Sequence, residues 1–246
     1  VLDGKLYAVG GSNNGGSLSS VERYDPALDA WEAVAPMASA RSVAGVAVLD
    51  GKLYAVGGYN EEDSHLSLVE RYDLATKSWE EVEPMPSARS AAGVAVLDGK
   101  LYAVGGYGGG ALSSVVRYDP EMNAWEAVAP MGSSRDECGV AVLEDQLYAV
   151  GGEGSEPDSD DGDGALRSVI RYDLATNTWE TVAPMSTERK ALGVTVLDGM
   201  LYAVGGENLE AVADDDYEGP FMKSAERFNP ATSAWEEVAP MAAARA

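Results

Sequence analysis

Short apolar runs broken by two-residue polar turns set the rhythm of this chain. Val46-Ala47-Val48-Leu49 is apolar at four successive positions, Asp50-Gly51 interrupts it, and Leu53-Tyr54-Ala55-Val56 resumes before Gly57-Gly58. Runs this short and uniform fit strands buried on both faces better than helices. Asp-Gly supplies the two positive φ values of a type I′ hairpin, so the two runs are expected to pair antiparallel. The glycine pair should stand where a side chain would obstruct neighbouring backbone. After a variable loop, Leu66–Tyr72 is expected as a third strand, Asp73–Lys77 as a turn and Ser78–Val82 as a fourth strand around Trp79.

The pattern recurs. Leu-Tyr-Ala-Val-Gly-Gly begins at Leu6, Leu53, Leu101, Leu147 and Leu201. Each copy then carries Tyr-Asp (Phe228-Asn229 in the last), a tryptophan (Trp31, Trp79, Trp125, Trp179, Trp235), Pro-Met and an arginine. Five copies of one motif imply five copies of one structural unit, with boundaries near 1–41, 42–89, 90–135, 136–189 and 190–246. The Asp-Gly turn recurs in every copy but the fourth, where Glu144-Asp145 replaces it. A lone four-stranded sheet leaves both faces partly bare, so the units must stack, and the recurring Tyr and Trp are read as packing between them.

The order Gly-Gly, Tyr-Asp, Trp resembles the kelch motif, and the resemblance covers the whole chain. It implies an all-β fold: a kelch-type β-propeller of five four-stranded antiparallel blades in a single domain. Val1 corresponds to Val48 and Ala246 to Ser42, so the first blade lacks most of its first strand. A five-bladed ring, a crop from a six-bladed parent and an engineered array all suit that end, and the open edge is a place for self-association.

All the length variation falls in one loop type. The segments 12–17, 59–65, 107–111, 153–165 and 207–221 differ in length, while Met222 to Trp235 keeps the spacing of Leu66 to Trp79. Equivalent loops of a stacked array emerge on one face, and variation confined to one face marks a binding surface. The formal net charge is -24, with 41 acidic and 17 basic residues, and these loops contain no Lys or Arg. That balance disfavours nucleic acid, which needs clustered cations, and favours basic partners. No apolar run is long enough to span a membrane. The single cysteine, Cys138, excludes an internal disulfide framework and favours a reducing, cytoplasmic setting; its place in the repeat is that of a packed core thiol.

The chain resembles the kelch domains of BTB-kelch cullin-ligase adaptors, and this likeness implies three columns of contact residues at the loop end. After Gly-Gly stand Ser12, Tyr59, Tyr107, Glu153 and Glu207. Before the third strand stand Ser17, His65, Ala111, Ala165 and Phe221. After the linking arginine stand Ser42, Ser90, Asp136, Lys190 and Ala246. The implied function is non-catalytic recognition of a protein or peptide. Adaptors that read acidic motifs carry arginines in these columns; Glu153, Glu207 and Asp136 here imply a basic or neutral partner. The alternatives are a structural or engineered repeat scaffold without a native ligand, and an enzyme built on the Asp136, Glu153 and Glu207 carboxylates.

Two arginine columns, Arg41/Arg89/Arg135/Arg189/Arg245 and Arg23/Arg71/Arg117/Arg171/Arg227, recur in every unit, as blade-to-blade or backbone hydrogen bonding requires. His65 is the only histidine; one imidazole cannot build a two-histidine metal site, and no serine or cysteine partner is evident in the sequence. Asp158, Asp160, Asp161 and Asp163 are the one candidate for weak Ca²⁺ binding. They lack the Gly and Glu that an EF-hand loop needs at its sixth and twelfth positions. No cofactor is expected.

Overall fold

The computed structural model describes residues 1–155, 164–208 and 221–245. Among these every named element is a β-strand. The candidate Ca²⁺ ligands Asp158, Asp160, Asp161 and Asp163, and Ala246 of the third column, lie outside the described residues. The chain divides into two compact units, one comprising 1–103, 107–110 and 116–127, the other 104–106, 111–115 and 128–246.

The first unit begins with a three-stranded antiparallel sheet, Leu6–Val9, Val21–Asp25 and Ala30–Val34 in that order. Gly45–Leu49, Lys52–Val56, Val69–Asp73 and Ser78–Val82 follow as a four-stranded meander in which each strand pairs with the next. A third meander, Gly93–Leu97, Lys100–Val104, Val115–Asp119 and Ala124–Val128, has residues in both units. In the second unit, Gly139–Leu143, Gln146–Val150, Val169–Asp173 and Thr178–Val182 form one meander. Gly193–Leu197, Met200–Val204, Ala225–Asn229 and Ala234–Val238 form another. Asp50 and Gly51 have φ of 49° and 70°, as a type I′ turn requires; Glu144 and Asp145 adopt the same region at 51° and 56°.

The third strand starts later than the apolar pattern implies. Leu66, Ser67 and Leu68 are outside it because their carbonyls serve other donors: the N–H of Arg89, Met85 and Gly57 respectively. The first strand of each sheet is less buried than its sequence implies. Leu49 is buried but Val46 is 40% exposed, because Gly45–Leu49 is the edge of its sheet.

Sheet stacking within each unit follows from aromatics and close backbone approach. The Trp79 indole N–H donates to the carbonyl of Ala35 at 2.9 Å, and Trp125 repeats the contact with Glu83 at 2.8 Å. In the second unit Trp179 reaches Ala129 and Trp235 reaches Ala183, both at 2.9 Å. Tyr72 packs on Trp79 with ring centroids 5.4 Å apart, a pairing that contributes about 0.5–1.5 kcal/mol beyond its buried area. A Cβ on Gly57 would stand 2.2 Å from the Arg89 carbonyl oxygen, and one on Gly45 would meet Val94 at 2.1 Å. Those two distances explain the glycines. Cys138 is buried, as its place in the repeat implies.

Four of the linking arginines, Arg41, Arg89, Arg135 and Arg189, are buried and structural, whereas Arg245 is exposed. Arg41 is fully buried, donates to the carbonyls of Gly57 and Leu68, and meets Glu70 at 2.6 Å. Arg189 does the same with Gly205, Ser224 and Glu226. Burial pushes the Arg89 guanidinium down to about 10. The other column departs from expectation: Arg23, Arg71, Arg117, Arg171 and Arg227 pair with Glu32, Glu80, Glu126, Glu180 and Glu236 on the neighbouring strand of their own sheet. The alternation of side chains along a strand puts these carboxylates directly opposite the arginines, so the contact closes within one blade.

Candidate partner-binding site

Among the described residues, three of the variable loops carry a two-residue antiparallel pairing. Ser12–Asn13 pairs with Gly16–Ser17, Tyr59–Asn60 with Ser64–His65, and Glu153–Gly154 with Gly164–Ala165. The first two columns therefore stand directly opposite each other: Ser12 faces Ser17, Tyr59 faces His65 and Glu153 faces Ala165. Isolated bridges attach the third column, Ser42 to Tyr59, Ser90 to Tyr107, Asp136 to Glu153 and Lys190 to Glu207, and a further bridge joins Glu207 to Phe221.

In the first unit these bridges assemble a continuous polar and aromatic run. The Ser17 hydroxyl donates to the Tyr59 carbonyl at 3.1 Å and lies 3.3 Å from the Ser42 hydroxyl. His65 sits between Tyr59 and Tyr107, with ring centroids 5.7 and 5.2 Å away. Its Nδ1 lies 3.0 Å from the Ser90 hydroxyl, a serine partner hidden in the sequence because 25 residues separate the two. Ser90 is itself joined to Tyr107 by paired backbone hydrogen bonds. Tyr59 is 36% and Tyr107 39% exposed, so both present ring surface to solvent.

Two residues outside the expected columns shape this run. Asn60 is buried and accepts the N–H groups of Glu62 and Asp63 at 3.1 and 2.6 Å, which holds the tip of its hairpin. Glu61 accepts the N–H of Ser17 with both oxygens at 3.1 and 3.2 Å, and that bond holds its carboxyl below the usual range. Asn before a run of acids is a turn signal that would have identified Asn60. Nothing local to Glu61 marks its reach across 44 residues.

The second unit carries an acidic group with one cation inside it. Lys190 forms ion pairs with Glu153 and, at 3.9 Å, with Glu137. Burial, followed by the nearby Glu153 and Glu137 charges, pushes Asp136 up to about 6. Burial also raises Glu137, although Lys190 opposes it. Lys190 itself is lowered by burial, but its hydrogen bond and attraction to Glu153 outweigh this and raise it. Glu137 is not among the expected columns; it has a φ of 50°, as Ala91 and Ala191 do, and lies within ion-pair reach of Lys190. Part of the acidic charge is thus compensated internally. Phe221, 46% exposed, stands opposite Glu207 and adds an apolar surface. Among the described residues no group of three or more His, Cys, Asp or Glu side chains could hold a metal ion, and no helix is long and apolar enough to cross a membrane.

Comparisons with known proteins agree with this architecture. The solved structure of YjhT superposes with a TM-score of 0.79 at 16% identity, covering 97% of this chain and 82% of that one. The fold is accordingly a β-propeller of five blades, the first of three strands and the others of four. An F-box/kelch-repeat protein of Arabidopsis thaliana is 37% identical over 83 residues, 34% of this chain and 19% of its own length. Kelch-like protein 33 of Homo sapiens is 35% identical over 70 residues, 28% of this chain and 11% of its own. Kelch-like protein 1 of Mus musculus reaches 56% over 41 residues, 17% and 6%. The chain thus matches less than a fifth of the length of each of these curated relatives. The pattern of the family described as "Attractin/LZTR1 beta-propeller" matches residues 1–215. With that match over most of its length, the chain belongs to the Attractin/LZTR1 β-propeller family and is a kelch-type propeller.

Proposed function

We propose that this chain is a non-catalytic protein- or peptide-binding propeller, used as the substrate-recognition domains of ubiquitin-ligase adaptors are used. The observation that carries the reading is the exposed Tyr59–His65–Tyr107 run, backed by Ser17, Ser42 and Ser90. Rigid amphipathic rings with hydroxyls between them are the residue types that anchor partner chains at low entropic cost. In the second unit Asp136, Glu153, Glu207 and Phe221 contribute negative charge and an apolar surface, with Lys190 neutralising part of it. Basic or neutral partners fit this arrangement, because an acidic peptide would meet uncompensated carboxylates.

Panels of basic, neutral and acidic peptides presented to the immobilised protein test the proposal. Enrichment of basic or neutral sequences, lost on Tyr107→Ala, is the expected result; enrichment of acidic ones overturns the charge assignment. A second reading, a repeat scaffold without a native ligand, draws on the identity of the Leu-Tyr-Ala-Val-Gly-Gly hexapeptide in all five units. Enrichment of no class would favour it.

A further inference from the structure

Four of the sheets carry an edge strand that the first sheet does not have. Gly45–Leu49 pairs with Lys52–Val56 over five residues, and Gly139–Leu143 and Gly193–Leu197 pair with their neighbours in the same register. In the first sheet Leu6–Val9 takes the place of Lys52–Val56 and is itself the edge. Leu2 and Lys5 still exchange backbone hydrogen bonds at 3.0 Å, at the place where Leu49 pairs with Lys52. Past that bridge the edge is open. Backbone groups alternate between the two sides of a strand, so those of Tyr7 and Val9 point the same way as those of Lys5. Among the described residues no strand pairs with them on that side.

Three further observations outline the slot. A Cβ on Gly58 would stand 2.8 Å from the Ser42 carbonyl oxygen, one on Gly152 2.6 Å from that of Asp136, and one on Gly206 2.6 Å from that of Lys190. A Cβ on Gly11, whose φ is 100°, would meet nothing within 4 Å. Tyr59, Tyr107, Glu153 and Glu207 each bridge the residue after a linking arginine, whereas Ser12 has no such bridge among the described residues. Val94 packs where a Cβ on Gly45 would stand, and Val194 does the same at Gly139. Val46 holds the equivalent place with no glycine against it and is 40% exposed. A single extended run, equivalent to Ser42–Ala47, would supply every one of these contacts.

We propose that this slot binds, from a separate polypeptide, an extended uncharged segment of the pattern Gly-Val-small, added antiparallel to Leu6–Val9. Its glycine lies opposite Val9 and against Val46, where a larger residue would collide as a Cβ on Gly45 would with Val94. The residue two further on lies opposite Tyr7, the place that Ala47, Ala141 and Thr195 occupy in other sheets. Leu2 already fills the place of Leu49, so the pairing stops before it. Main-chain bonds to Tyr7 and Val9 supply the affinity, and the glycine supplies the selectivity. The slot uses none of the residues of the Tyr59–His65–Tyr107 run, so the two readings stand or fall separately.

The test uses residues 1–246 and the peptide acetyl-Ser-Val-Ala-Gly-Val-Ala-amide, which copies residues 42–47. Amide hydrogen exchange at Tyr7 and Val9 is the readout, because edge amides that gain a partner become protected. Both are expected to exchange fast in the free chain. They should slow by about tenfold when the peptide stands about tenfold above its dissociation constant, with a rise in melting temperature. The same peptide with valine in place of its glycine should protect neither. A chain carrying Ser-Val-Ala-Gly-Val-Ala ahead of Val1 should show both amides protected without peptide and give no further response. Exchange that stays fast at millimolar peptide overturns the proposal, as does equal protection by the valine peptide or an undiminished response in the extended chain. Protection already present without peptide would give the slot another occupant, a second copy if it grows with protein concentration, and overturns it too.

Discussion

The imidazole of His65 lies against the ring of Tyr107, centroids 5.2 Å apart, while the Ser90 hydroxyl holds its Nδ1 at 3.0 Å. The backbone bridge between Ser90 and Tyr107 ties the two supports of the histidine to each other. Truncating a well-packed aromatic anchor costs a binding site about 2 kcal/mol or more, which is over tenfold in affinity. Tyr107→Ala and His65→Ala are therefore each expected to weaken a selected peptide at least about tenfold by fluorescence anisotropy, with folding intact by circular dichroism. Affinity unchanged in both would remove this run from the contact surface.

Asp136 gives the acidic group a pH dependence. Its folded pKa is raised to about 6 from 3.8. The folded state therefore holds the proton more tightly than the unfolded state, and stability falls as pH rises between about 4 and 6. Asp136→Asn should raise the melting temperature at pH 8 and change it little at pH 4. A basic peptide bound beside Asp136 should gain affinity across the same rise in pH, with the gain shrinking at high salt.

Buried and exposed ion pairs should differ sharply. Glu70→Gln leaves the Arg41 charge uncompensated in the interior and should cost about 3–5 kcal/mol in urea denaturation. Glu80→Gln breaks the Arg71 pair, whose carboxylate is half exposed, and should cost less than about 1 kcal/mol. For Glu226, burial pushes the carboxyl up, but the hydrogen bonds from Ser186 and Arg189 prevail and hold it below its ordinary value. Its contribution is thus present above its unfolded pKa and is lost as pH falls through the folded one. Glu226→Gln should flatten the acid limb of the stability curve.

Val43 has a φ of 43°, in a region that β-branched side chains rarely occupy. Ala91, Glu137 and Ala191 hold the equivalent position at 50°. Asparagine tolerates this region, so Val43→Asn should stabilise by about 0.5–1 kcal/mol, read from the urea midpoint at constant slope. A destabilised variant would mean that the Val43 side chain contributes more than its backbone strain removes.

Trp31 and Leu197 are exposed although their equivalents in other repeats are covered. Trp31 is 52% exposed, whereas Trp79, Trp125, Trp179 and Trp235 each reach the carbonyl of a preceding link. Leu197 is 57% exposed, against 3–4% for Leu49, Leu97 and Leu143. Each is a large apolar side chain open to solvent, the kind of surface on which copies of a chain associate. Concentration-dependent association measured by sedimentation should therefore fall in Trp31→Lys and Leu197→Lys, with melting temperatures near the wild type. Association unchanged in both variants would exclude these faces.

Much of the scaffold was legible in the chain. Asp50-Gly51 has only one common hairpin conformation, and Gly57-Gly58 reports the Arg89 carbonyl that a Cβ would strike. The late start of the third strand was not legible. Leu66-Ser67-Leu68 reads as strand, but the carbonyls of Leu66 and Ser67 are taken by Arg89 and Met85 of the following link and that of Leu68 by Gly57. At the candidate site the columns were legible as positions, since the repeat indexes them. Their chemistry was not: the Ser90 contact of His65, the Ser17 contact of Glu61 and the Lys190 pairs are all long-range.

The sequence by itself determined the unit, its strands, its tight turns and the positions where variation is allowed. Each of these depends on local periodicity and backbone preference, repeated often enough to be read without ambiguity. Tertiary structure alone decided which carboxylates are neutralised, which arginines are entombed and which ring faces His65. Those outcomes depend on distances between residues far apart in the chain and on the water excluded between them. Beside Arg135 the two levels meet: Ile170 at the position of Glu70 and Glu226 is visible in the sequence, but the cavity that it lines is visible only in the fold.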